Sequence, residues 1–127
     1  MRRTILVGPR ARWVTDVPET HRERKHGLLG REGLPHGRAM LLERTRSVHT
    51  IGMRFEVSVA FLDRELKVLV VKRVPPGRVL RPRLRARHTL ECRADAEIRA
   101  GDRLRTKQPA ERKARRTAYD NSVRAIT

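Results

Sequence analysis

Four residues of this chain could do chemistry if folding gathered them: His49, His88, Glu91 and Cys92. The imidazoles of His49 and His88 and the thiolate of Cys92, the last two on one strand face, could hold zinc with water in a fourth position. The 5 histidines, at 21, 26, 36, 49 and 88, form no HExxH or HxH pairing, and the lone cysteine allows no CxxC. Solvated or capping histidines and a small packed thiol explain the same residues, so neither a metal site nor a cofactor is expected. Cys92 with His49 or His88 could make a thiolate–imidazole pair, helped by abundant arginine. Its place inside an apparent strand suits a packed hydrophobe better. Ser47 and Ser58 lack the Gly-x-Ser-x-Gly setting of an exposed nucleophile. Gly27-Leu28-Leu29-Gly30 lacks the Lys-Ser/Thr of a phosphate loop.

Among the carboxylates, Asp63 and Asp102 stand where side chains bond their own turns. Glu91 is different, because a strand position turned inward would bury it. A buried carboxylate calls for an Arg partner, and a structural Glu91–Arg pair is expected. Arginine itself is the most conspicuous residue. In Arg81-Pro82-Arg83-Leu84-Arg85-Ala86-Arg87 it recurs at every second position. An extended chain would align these four on one side at roughly 6.6–6.8 Å intervals, near the separation of adjacent phosphates on a strand. With Lys72 and Arg73 they form a candidate anion-binding set, since guanidinium forks grip phosphate bidentately. No aromatic residue lies between positions 66 and 106, so base stacking is not on offer. Backbone contact with strong salt dependence is the expected mode.

The whole composition leans the same way. Of 127 residues, 31 are Lys or Arg and 14 Asp or Glu, a formal charge of +17. That excess attracts polyanions, either nucleic acid or an acidic protein surface. Codon bias in a G+C-rich genome would produce the same arginine count. The length suits one domain, and the 3% aromatic content leaves its core to aliphatic residues. A single cysteine rules out an internal disulfide framework. The three-residue apolar run after Arg2-Arg3 is too short for a signal peptide, and no run approaches a membrane span. A cytoplasmic protein without membrane contact is expected, of unspecified oligomeric state.

The positioning elements read as mostly strands. Ile5-Leu6-Val7 and Arg12–Thr15 flank a Gly8-Pro9 turn. Pro18 beside Glu19 signals a helix start, and glycine at 27 a stop. Arg38–Glu43 and Val48–Met53 follow. Val57, Val59 and Phe61 alternate as in a half-buried strand, and the apolar run Leu66–Val71 fits one covered on both faces. The two form a hairpin about Asp63-Arg64-Glu65. Pro76-Gly77 makes a type II corner. His88–Cys92 is another strand, and Ile98–Leu104 turns into a last short one. From residue 107 to 127 the pattern fades into a basic tail, disordered or weakly helical, whose Arg112, Lys113, Arg115 and Arg116 could serve as an auxiliary arm.

The ordered series Gly27-Leu28-Leu29, Gly33-Leu34-Pro35, Ala39-Met40-Leu41, Met53, Val59-Ala60-Phe61-Leu62-Asp63, Leu90-Glu91 and Gly101-Asp102-Arg103-Leu104 resembles the prokaryotic family called domain of unknown function 192. The resemblance covers roughly residues 4 to 106. It implies an α+β domain at 1–106: a small curved, mostly antiparallel β-sheet or barrel with one short N-terminal helix. Ser58 stands where many members have Asp, and Thr50-Ile51-Gly52-Met53 where many have Phe-Trp-Met. Two functions are then in play. One is a non-catalytic binding module for an anionic partner, using the arginine set. The other is a small enzyme or ligand-binding pocket around Met40, His49, Met53, Ser58 and Glu91.

Overall fold

The strand at Val57–Leu62 is buried at all six positions. Its alternation therefore marks two covered faces, with Val57, Val59 and Phe61 on one and Ala60 and Leu62 on the other. The following strand, Val68–Val74, is only partly buried and carries exposed Lys72 and Arg73. The two burial patterns are thus the reverse of those expected from sequence. The reason is position: the first strand is interior and the second lies at an edge of the sheet.

In the computed structural model, which describes residues 1–107, the order is β1 (Arg2–Val7), β2 (Arg12–Val17), α1 (His21–His26), β3 (Arg38–Leu42), β4 (Val48–His49), β5 (Val57–Leu62), β6 (Val68–Val74), β7 (Val79–Leu80), β8 (His88–Arg93) and β9 (Arg105–Lys107). Residues 112, 113, 115 and 116 of the expected basic arm lie outside the described residues. Seven strands form one sheet in the order β6-β5-β8-β3-β2-β1-β9, and β4 pairs with β7 in a separate ribbon. Only β2 and β3 run parallel; the other paired neighbours are antiparallel. Among the described residues no helix is long and apolar enough to cross a membrane.

The sheet curls around Leu6, Trp13, Leu41, Leu62, Leu90 and Leu104. Its two ends meet through a single bridge, Lys67 with Arg103, flanked by Val68 N–H donating to Asp102 O at 2.8 Å. This corrects the barrel expectation, because β6 and β9 do not pair along their lengths and the sheet stays open. Strand β9 has three residues, all exposed, and so no apolar side chain to draw it onto β6. The expected hairpin of β5 and β6 is present, and the Asp63 carboxylate holds its turn by accepting from Glu65 and Lys67 N–H, both at 2.9 Å. Gly77 supplies the expected positive φ, +86°.

The opposite face is covered by pieces that are not part of the sheet. Leu28 and Leu34 come from the segment after α1, Met53 from the turn after β4, and Val48 and Leu80 from the ribbon. Helix α1 buries no residue, so its ends must hold it. Its first residue is His21, three residues later than the proline signal suggested, with Thr20 as the N-cap. Thr20 and Glu23 form a reciprocal capping box, and Gly27 at φ +52° ends the helix. Thr20→Ala is expected to cost about 1 kcal/mol. A lower urea midpoint with faster amide exchange at the helix would show it; an unchanged midpoint would mean the helix is held elsewhere.

Candidate functional site

Strand β8 alternates between two environments. Leu90 and Cys92 point into the curled core, while Thr89 and Glu91 face the side closed by loops. On that side Glu91 stands in register with Met40 on β3 and Val59 on β5, both fully buried. Its nearest cross-strand neighbours therefore offer neither charge nor hydrogen bond. Glu91 itself is 3% exposed. Burial pushes its carboxyl up to about 7.

The expected Glu91–Arg pair is absent among the described residues, where Glu91 makes neither an ion pair nor a side-chain hydrogen bond. The arginines on the adjoining strand positions are committed elsewhere. Arg93, two residues along the strand, pairs with Asp95 at 3.1 Å. Asp16, in register with Met40 on its other side, takes Arg3 at 3.0 Å and Arg38 at 3.3 Å. Register, not arginine supply, leaves Glu91 alone.

Above Glu91 the loop pieces fail to close completely. They leave a cavity of about 660 Å³ reaching down to this carboxyl. Leu28, Leu29, Leu42, Val48 and Met53 make much of its wall apolar, with Thr45 and Ser47 among them. Its rim is basic, with His21, Arg24, Lys25 and His26 from the helix, Arg44 and Arg46 from the loop after β3, and His49 from the ribbon. Among the described residues Lys25, Arg44 and Arg46 have no ion-pair partner. The rim was not foreseen. A readable signal existed, namely a helix with no apolar residue of its own, His21-Arg22-Glu23-Arg24-Lys25-His26.

Of the five residues expected in a pocket, three line this cavity: His49, Met53 and Glu91. Met40 is core beside its floor. Ser58 is not part of it. It stands in register with Cys92, on the opposite face from Glu91, and its hydroxyl donates to Ala94 O at 3.0 Å. The convergence of His49, His88 and Cys92 does not occur either, because Cys92 packs in the curled core while His49 lies at the cavity rim. Burial pushes the Cys92 thiol up to about 12, which makes it a poor nucleophile. His88 Nδ1 accepts from Arg44 N–H at 3.0 Å, and burial holds its ring below the ordinary imidazole value.

The arginine stretch does not run straight. Ala86 N–H donates to Arg83 O at 3.1 Å, a turn that buries Ala86 and breaks the every-second-residue alignment. Arg83 lies over the Phe61 ring, 5.9 Å from its centroid, and Arg73 pairs with Glu56 at 3.2 Å. Lys72, Arg81, Arg85 and Arg87 remain exposed.

The family model for domain of unknown function 192, described as an uncharacterized ACR, matches residues 6–106. No curated protein matches the chain. A solved protein of unknown function from Novosphingobium aromaticivorans is similar at a TM-score of 0.67 and 19% identity, over 81% of this chain and 83% of that one. A candidate transcription regulator from Sinorhizobium meliloti is similar at a TM-score of 0.70 and 18% identity, over 82% of this chain and 92% of that one. At such identities the likeness is one of fold.

Proposed function

Since the chain belongs to the domain of unknown function 192 family, whose description carries no reaction, we propose from the geometry that it is a small-molecule binding module. Its cavity would take a compound with an anionic group and an apolar body. The observation that carries this reading is the 660 Å³ cavity, with largely apolar walls, a cationic rim and a carboxyl at its base that has no partner among the described residues. Concave, mostly apolar sites with a few placed polar groups are where small ligands bind. Binding is favoured over turnover because the Cys92 thiol and the Ser58 hydroxyl face away from this space, and Ser47, which does line it, makes no side-chain hydrogen bond to a base among the described residues. A catalytic use would rest on Glu91 as general acid–base, since a carboxyl near 7 suits that task.

A polyanion partner, nucleic-acid backbone or acidic protein, is the second reading and rests on the charge of +17 with exposed Lys72, Arg81, Arg85 and Arg87. The turn at Arg83–Ala86 weakens it, because the phosphate-like spacing depended on an extended chain.

The test is an amide-resolved NMR titration with caproate and hexyl phosphate. Shifts should concentrate at Leu28, Leu42, Arg44, Val48 and Met53, and the double variant Arg44→Ala/Arg46→Ala should weaken binding about tenfold. Shifts confined to residues 78–87, or none at millimolar ligand, would sink the cavity reading.

A further inference from the structure

We propose that the ligand of this cavity is zwitterionic, with an ammonium group seated on Glu91, an anionic group at the rim, and an aliphatic body between them. This rests on reading the cavity as a ligand site and names the chemical class it takes.

The inference starts from an unmet need. Glu91 is 3% exposed, flanked in the sheet by Met40 and Val59, and without an ion-pair or hydrogen-bond partner among the described residues. An ionised carboxyl in such a place is costly unless something pairs with it. The basic side chains of the rim do not supply that pairing, for none of them makes an ion pair or hydrogen bond with Glu91 among the described residues. The cavity is the open approach to it. Any partner other than water must arrive through that opening, carried by a ligand.

What chemistry would satisfy it follows from the donors. A neutral hydroxyl or amide answers one lone pair and leaves the charge. A carbonyl needs the carboxyl protonated. An ammonium supplies three donors and the opposite charge together. A metal ion is a poor match, because no group of three or more His, Cys, Asp or Glu gathers among the described residues. A simple amine is a poor match too. It must pass a rim of Arg24, Lys25, Arg44 and Arg46 on a protein of charge +17. An anionic group at the other end turns that repulsion into attraction. Leu28, Leu42 and Met53 then line the stretch between the charged zones, where methylene groups fit.

The experiment compares matched compounds on the full chain: γ-aminobutyrate, ε-aminocaproate and ω-aminocaprylate, each against its alkyl carboxylate and alkylamine. For at least one length the zwitterion should bind wild-type protein about tenfold or more tighter than the carboxylate, with the amine weakest. In Glu91→Gln that preference should vanish while carboxylate affinity stays as it was. Arg44→Ala should weaken zwitterion and carboxylate by the same factor and leave their ratio intact, which keeps the test open if Glu91→Gln misfolds. If carboxylates bind as tightly as zwitterions at every length, the inference falls and the anion-binding cavity stands. If no compound of any length shifts the cavity residues, both fall.

Discussion

Glu91→Gln is expected to stabilise the domain by about 3 kcal/mol above pH 7 and to change nothing below pH 4.5. Burial raises the folded carboxyl from 4.5 to about 7. Between those values the native protein holds a proton that the unfolded chain has released. Stability from this group is therefore fully present below 4.5, declines as pH rises through the window, and is gone above about 7. At roughly 1.36 kcal/mol per pH unit the loss is about 3 kcal/mol. Glutamine copies the shape of the protonated acid and never ionises, so it escapes the decline. His88 works in the opposite sense, because its lowered ring value gives stability that is lost as pH falls. The informative quantity is thus the difference between the two proteins. Urea midpoints should coincide in acid, separate through the window, and stay apart above it. Coincidence at every pH would mean that Glu91 is well solvated or partnered, and the zwitterion inference would lose its basis.

Thr50→Val should cost a similar amount, about 3 kcal/mol, by a different route. Thr50 is fully buried, and its hydroxyl donates to Pro75 O at 2.7 Å while accepting from Arg78 N–H at 2.9 Å. Valine fills the same volume but offers neither bond, leaving a carbonyl and an amide unpartnered at about 1–3 kcal/mol each. The main chain adds Thr50 N–H to Arg78 O at 2.7 Å and Gly77 N–H to Thr50 O at 2.9 Å. One residue thus ties the turn after β4 to the turn before β7. Val48, His49 and Met53, which line the cavity, are held by that tie. Hydrogen exchange should quicken at positions 48–53 and 77–80 in the variant, while β5 and β8 stay protected. Thr50→Ser should recover most of the loss. Unchanged stability in Thr50→Val would show that water takes over both bonds and that the ribbon is not anchored there.

Much of the architecture could be read from local pattern. Val57, Val59 and Phe61, with Asp63 in the turn, marked the hairpin because side-chain alternation and turn chemistry act within a few residues. Gly77 was legible for the same reason, and the ordered series from Gly27 to Leu104 pointed to the family. The helix was legible too, although its true start lay in the Thr20–Glu23 capping box.

The site was harder to read, because its properties belong to pairings across the chain. Glu91 looked like half of an arginine pair, and no count of arginines could say otherwise. The strand order β5-β8-β3 set Met40 and Val59 beside it and sent Arg38 and Arg93 to other carboxylates. That same register put Ser58 on the far face, one residue out of phase with the floor it was expected to share. The arginine alternation at 81–87 was a statement about an extended chain, and one turn through Arg83 and Ala86 undid it. Alternation and turn chemistry are short-range, so they survive in the sequence. Burial and charge pairing depend on which distant segments become neighbours, and they exist only once the sheet is assembled.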